Sequence, residues 1–93
     1  MVDTSYMFLN CSSLPELNLK TFNTSKVENM EGMFEACINI NSIDLTSFKT
    51  EKCTNFKNIF KDCDENINVV VKKGYCDNLV ESIKDYIHNI IIE

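Results

Sequence analysis

The side chains with the most chemistry to offer are five cysteines, Cys11, Cys37, Cys53, Cys63 and Cys76. Thiolates attack electrophiles, ligate metals and pair as disulfides, and in a short chain a disulfide framework is the first reading to test. The number is odd, however, and one shift of 26 residues carries Cys11 to Cys37 to Cys63. If units of that length stack, equivalent side chains sit about 4.8 Å apart and run parallel. The separation is near the bridging range, but parallel Cβ vectors make poor disulfide geometry. The expectation is a structural ladder of buried thiols at Cys11, Cys37 and Cys63, packed as small hydrophobes. Cys53 stands where the preceding unit has Val27, which points the same way. Cys76 lies outside the repeats and is the one candidate for reactivity; a redox sensor is the minor reading this leaves open.

The other candidate groups have plainer accounts. His88 is the single histidine, with no second histidine near it, and reads as a solvated helix residue. Asp64-Glu65 is an adjacent carboxylate pair, and neighbours rarely converge on one substrate, so a turn is the better account. The Met-x-x-Met-Phe segment at Met30 to Phe34 has core spacing rather than that of a metal or partner site. Asn10-Cys11-Ser12 and Asn23-Thr24-Ser25 match the glycosylation sequon, which matters only in a secreting eukaryote. A nucleophile needs a base and an orienting group. Nothing in the sequence supplies both, so the chain is expected not to be an enzyme and to use no catalytic residue, metal or cofactor.

The elements that position these residues follow from the period. The same shift carries Phe8 to Phe34 to Phe60, Met7 to Met33 to Ile59, Leu17 to Ile43 to Val69, and Leu19 to Leu45 to Val71. Such a period is the mark of a solenoid, in which each unit buries its apolar face against the next. Within one unit, Leu17 and Leu19 alternate with Glu16, Asn18 and Lys20, as a short half-buried strand does. Pro15 precedes it, where a missing donor is tolerated. Phe22 anchors a turn, and Thr24 or Ser25 is placed to cap a helix over about 26–37, with Val27, Met30, Met33, Phe34 and Cys37 as its stripe. Gly32 weakens that helix somewhat. The second unit repeats the plan with Ile43, Leu45, Phe48, Cys53, Phe56, Ile59, Phe60 and Cys63, and a third strand is expected at Asn68 to Lys72.

After Gly74 the period stops. Cys76, Leu79, Val80, Ile83, Tyr86, Ile87 and Ile90 have helical spacing, which predicts a helix capped near Asp77 and laid over the open end of the last unit. Ile90-Ile91-Ile92 also fits a short strand. Residues 1–73 are thus read as repeats, the first incomplete, and 74–93 as a capping helix.

The net charge is −5 with a pI near 4.8, which argues against nucleic acid and anionic membrane as partners. No apolar run reaches the roughly 18 residues of a transmembrane segment, and Met1 opens no signal peptide. The first residues align with the interior of a repeat, so a piece of a longer array is expected.

Phe22-Asn23-Thr24-Ser25-Lys26-Val27-Glu28-Asn29-Met30-Glu31-Gly32-Met33-Phe34-Glu35-Ala36-Cys37 resembles the repeat of BspA-like leucine-rich repeat surface proteins, also typical of mycoplasma surface lipoproteins. Leu14 to Cys37 matches that pattern well and Ile40 to Cys63 more loosely; the third unit keeps little beyond its strand. The resemblance implies an α/β leucine-rich-repeat solenoid with short parallel strands and one helix per repeat. It also implies a secreted or surface-anchored protein that binds host proteins, matrix or other cells, without catalysis. The alternative is a structural scaffold or an array-capping unit with no ligand of its own.

Solenoid geometry says where binding would occur. Outward strand positions form three columns: Glu16, Ser42 and Asn68; Asn18, Asp44 and Val70; Lys20, Thr46 and Lys72. These make a mixed-charge sheet face. At the other extreme, an uncapped first unit would expose Tyr6, Met7, Phe8 and Leu9, and a homodimer through that end is expected.

Overall fold

The computed structural model describes residues 3–9, 19 and 22–93, and the backbone of 16–18. Expectations for Cys11, Pro15 and Lys20, and for the side chains of Glu16, Leu17 and Asn18, lie outside the described residues. The described chain is mixed α/β. Strands β1 (Glu16–Asn18), β2 (Ser42–Leu45), β3 (Asn68–Val71) and β4 (Asn89–Ile92) form one parallel sheet in the order β1-β2-β3-β4, and a single helix, α1 (Asp77–Ile83), lies between β3 and β4. Register keeps the repeat: Glu16 pairs with Ser42 and Ser42 in turn with Asn68, and Leu17 pairs with Ile43 and Ile43 with Val69. In β2 and β3 the expected alternation holds, with Ile43, Leu45, Val69 and Val71 buried and their neighbours half-buried.

The helix expected over 26–37 is not formed, nor is its counterpart in the second unit; both stretches are chains of turns. The backbone accounts for the difference. The N–H groups of Met30, Gly32, Phe34 and Ala36 leave their own unit and donate to the carbonyls of Asn55, Lys57, Ile59 and Lys61, at 2.7 to 2.9 Å. Alternating with them, Met33, Glu35 and Cys37 donate three residues back, to Met30, Gly32 and Phe34. A helix sends every N–H four residues back inside itself, so half of this ladder is spent on the neighbouring unit instead. Left-handed residues make the alternation possible: Gly32 (φ 59°) and Ala36 (φ 60°), with their equivalents Tyr6, Asn58 and Asp62. The apolar stripe is buried all the same. Val27, Met30, Met33, Phe34 and Cys37 have no exposed surface.

Side chains complete this turn column. Asn29 Oδ1 accepts from Glu31 N and Asn55 Oδ1 from Lys57 N, both at 2.9 Å, and Asp3 Oδ1 accepts from Ser5 N at 2.8 Å. These are Asx turns one repeat apart. Thr24 caps no helix. Its buried hydroxyl accepts from Lys49 N (2.9 Å) and donates to Lys49 O (3.2 Å), tying the first unit to the second. Phe8, Phe34 and Phe60 stack as one column, with centroids 5.6 and 5.3 Å apart.

The C-terminal segment also differs from expectation. Cys76 occupies the N-cap and Asp77 the first turn, so Asp77 is one residue too late to cap. The helix ends at Ile83, and the short strand that Ile90-Ile91-Ile92 also fitted is formed as β4, with Asn89 beside Asn68 and Ile91 beside Val70. Leu79 and Ile83 are fully buried, as a covering helix requires.

Candidate functional site: the outward sheet face

The predicted columns are brought together as far as they are described. Ser42, Asp44, Asn68 and Val70 are half-buried on the outward side of β2 and β3, Thr46 is half-buried just beyond β2, and Lys72 is exposed beyond β3. The Glu16 and Asn18 backbones stand in register beside Ser42 and Asp44. Three of the predicted groups are already engaged. Asp44 Oδ1 accepts from both the backbone N–H (2.9 Å) and the hydroxyl (2.6 Å) of Thr46, which closes the turn after β2. Lys72 Nζ lies 5.3 Å from the Tyr75 ring centroid, and Lys49 Nζ lies 5.2 Å from the same ring.

β4 adds a fourth row. Asn89 extends the first column and Ile91 the second. Glu93 extends the third, because Glu93 N donates to Val71 O and Lys73 N donates to Glu93 O, both at 2.9 Å. Val70 and Ile91 therefore lie side by side as an apolar centre, with Asn68, Asn89, Lys72 and Glu93 around them. The signal for this row was in the sequence at another offset: Asn68-Val69-Val70-Val71 returns as Asn89-Ile90-Ile91-Ile92, 21 residues on.

The thiols have a more specific place than that of small hydrophobes. Cys37 Sγ donates to Phe8 O (3.1 Å) and Cys63 Sγ to Phe34 O (3.0 Å), each reaching the carbonyl of the preceding unit's stacked phenylalanine. Cys37 is buried as the ladder requires but Cys63 only half-buried, and Cys76, read from sequence as the reactive candidate, is buried, its Sγ donating to Phe48 O at 3.3 Å. Burial pushes Cys63 and Cys76 up to about 11, and Cys53 in the same direction. The protonated thiol is the form these sites hold, and the thiol is the poor nucleophile. Native protein at pH 8 should therefore leave Cys37, Cys53, Cys63 and Cys76 unlabelled by a disulfide reagent over the time in which urea-unfolded chain labels fully. Peptide mass spectrometry assigns the sites, and rapid native labelling at any of the four would refute the sealed ladder. The linkage has a definite sign. The raised thiols stay protonated in the fold after they would ionise in the unfolded chain, so their contribution is intact below the unfolded value and is lost as pH rises toward about 11.

Other groups behave as solvated or structural. His88 is exposed as expected, but on the connection between α1 and β4 rather than in a helix; its N–H donates to Glu65 O at 3.2 Å. Asp64 closes a turn by accepting from Asn66 N at 2.9 Å. Burial raises Tyr86, which sits by the Phe60 backbone and Cys63. A shallow cavity of about 300 Å³ opens between the end of β3, β4 and α1, with Val71, Val80 and Ile92 as its apolar wall and Lys72, Lys73, Asp77 and Glu81 at the rim. Among the described residues, no three His, Cys, Asp or Glu side chains are grouped to hold a metal ion, and no helix is long and apolar enough to cross a membrane.

Comparison with curated proteins and with solved structures finds no match. A family model does match, over residues 1–88, and the chain belongs to the family it describes, the Mycoplasma proteins of unknown function of DUF285.

Proposed function

We propose that this chain is a segment of a leucine-rich-repeat-type solenoid, resembling BspA-like surface proteins, that acts as a non-catalytic protein-binding module at the cell surface or in secreted form. Its partner would be a protein, such as a host matrix or cell-surface protein, held on the outward sheet face. The observation that carries the reading is the composition of that face: Val70 and Ile91 adjoin at its centre, and polar and charged side chains surround them. An apolar centre within a polar rim is the usual anatomy of a protein interface. Direct backbone bonding between successive units supports the solenoid, because it lets each 26-residue unit stack only on its neighbours. The non-catalytic reading is supported by thiols that are buried (Cys37, Cys76) or half-buried (Cys63) and bonded to carbonyls rather than paired with a base.

The test is surface plasmon resonance of the chain against immobilised matrix proteins and host-cell surface extracts, beside a Val70→Asp/Lys72→Glu variant. Asp44 is left alone because its carboxylate closes a turn. The expected result is at least a tenfold loss of affinity with an unchanged melting temperature. A variant that binds as the native chain does would overturn the assignment to this face. The array-capping alternative is favoured by one observation, the burial of Leu79 and Ile83 where α1 covers the second unit. A folded chain that binds nothing on the panel would select it.

A further inference from the structure

Both ends of the stack carry exposed apolar residues, but they are not equivalent. At the N-terminal end Tyr6, Met7 and Leu9 are exposed, while Phe8 is packed on Phe34 and Phe22. At the C-terminal end the exposed residues belong to a strand edge. Among the described residues β4 has one neighbour, β3. Its inward residues Ile90 and Ile92 continue columns whose other members, Ile43, Val69, Leu45 and Val71, are at most 1 % exposed, yet Ile92 is 56 % exposed. Within Asn89–Ile92 there is no proline and no charge, the devices that usually protect such an edge.

The hydrogen-bonding phase of β4 is fixed. Glu93 directs both its N–H and its carbonyl to β3, and in a parallel pair the residues that do so alternate. Asn89 and Ile91 therefore face β3, whereas the N–H and C=O groups of Ile90 and Ile92 point to the open edge. We infer that this edge pairs with β4 of a second copy of the chain, antiparallel about a two-fold axis through Ile91.

Several constraints select that register. A two-fold axis perpendicular to the sheet keeps each residue on its own face, so inward must meet inward. Ile90 then stands opposite Ile92 of the other copy, and the outward-facing Ile91 opposite its own equivalent. Ile90 and Ile92 are the residues whose backbone groups are free to exchange both hydrogen bonds, which makes them a hydrogen-bonded pair. Of the two neighbouring registers that keep the faces matched, one sets Ile92 against the exposed His88 and loses the apolar match, and the other sets the outward Ile91 against the charged Glu93. The chosen pairing gives an eight-stranded sheet, covers Ile92, and points both outward faces the same way. Val70 and Ile91 of the two copies then form one apolar strip across the axis. The pairing holds whether or not that face has a ligand, so it fails or stands independently of the adhesion reading.

Cysteine trapping tests it. At the axis, Ile91 and its equivalent form a non-hydrogen-bonded pair, with Cα atoms about 4.5 Å apart, within the range a disulfide accepts. Under mild oxidation with diamide, Ile91→Cys should cross-link to a covalent dimer within minutes. Asn89→Cys, opposite Glu93 of the other copy, should not exceed the background set by the native chain under the same treatment. In sedimentation equilibrium the native chain should be a dimer, and Ile91→Lys, which sets like charges directly opposite, should raise the dissociation constant at least tenfold. Three results would overturn the inference: a native chain monomeric throughout the concentration series, Asn89→Cys cross-linking as fast as Ile91→Cys, or a dimer dissolved by Met7→Asp and untouched by Ile91→Lys.

Discussion

Replacing Phe34 by alanine is expected to remove about 4 kcal/mol of stability, the middle of the usual range for a core phenylalanine. Small domains hold only about 5–15 kcal/mol in all, so this variant should be largely unfolded in mild urea. Phe34 has no exposed surface, and its ring lies between Phe8 and Phe60 at interplanar angles of 2° and 11°. Truncation therefore deletes two ring contacts, each about 0.5–1.5 kcal/mol beyond burial, and opens a cavity between them. Collapse into that space is blocked, because the units on either side are held apart by backbone bonds. Phe34 N donates to Ile59 O, and Phe8 N to Met33 O, each at 2.9 Å. Phe8→Ala is the internal control. It ends the column, stacks on Phe34 alone within it and is only partly buried, so about half the loss is expected. Urea titration of the pair decides the matter, and equal losses would show that the stacked column is not what Phe34 contributes.

Strand positions were legible because a sheet reports its pattern directly. Ile43 and Leu45 alternate with polar neighbours, and one repeat length carried them onto Val69 and Val71. The turn column was misread for a physical reason. Val27, Met30, Met33, Phe34 and Cys37 must face inward whether the backbone coils as a helix or folds as a run of turns, so their spacing cannot distinguish the two. What distinguishes them is where alternate N–H groups go, and that depends on left-handed conformations at Gly32 and Ala36. Gly32 could have signalled this as more than a weak spot in a helix, since Asn58 occupies the same place in the next unit and tolerates the same backbone. The Asx residues Asn29 and Asn55, one period apart, were a second unread signal. In the last segment the helical stripe of Cys76, Leu79, Val80 and Ile83 runs on through Ile87 and Ile90, so the pattern left Ile90-Ile91-Ile92 open between helix and strand, and the structure makes it the strand. The fourth row of the outward face, Asn89, Ile91 and Glu93, was missed while that choice stayed open.

The two readings of the turn column make opposite predictions for one pair of substitutions. In a helix interior, Gly32→Ala would stabilise and Ala36→Gly would destabilise, each by about 1 kcal/mol. In the observed backbone the signs reverse. Gly32 has φ 59°, and a Cβ there would run into the ring of Tyr6, whose hydroxyl is tied to Glu31 Oε2 at 2.9 Å. The left-handed conformation costs a residue with a Cβ about 1–2 kcal/mol, and shifting the exposed Tyr6 ring at the expense of its hydroxyl hydrogen bond adds about 0.5–1.5. The expected loss for Gly32→Ala is about 2 kcal/mol. Tyr6→Ala made in the same chain separates the two contributions, because it removes the ring but leaves the backbone: about half the Gly32→Ala loss should then disappear, and the rest should persist. Ala36 has φ 60°, so a glycine there relieves strain in the fold while loosening the unfolded chain by about 0.4–1 kcal/mol, for a net gain of a few tenths to about 1 kcal/mol. Thermal melts of the two single variants settle the sign. A higher melting temperature for Gly32→Ala together with a lower one for Ala36→Gly would mean that residues 26–37 are helical after all. The reverse result would tie the stacking of these units to two left-handed residues, since only their turns send every second N–H across to the next unit.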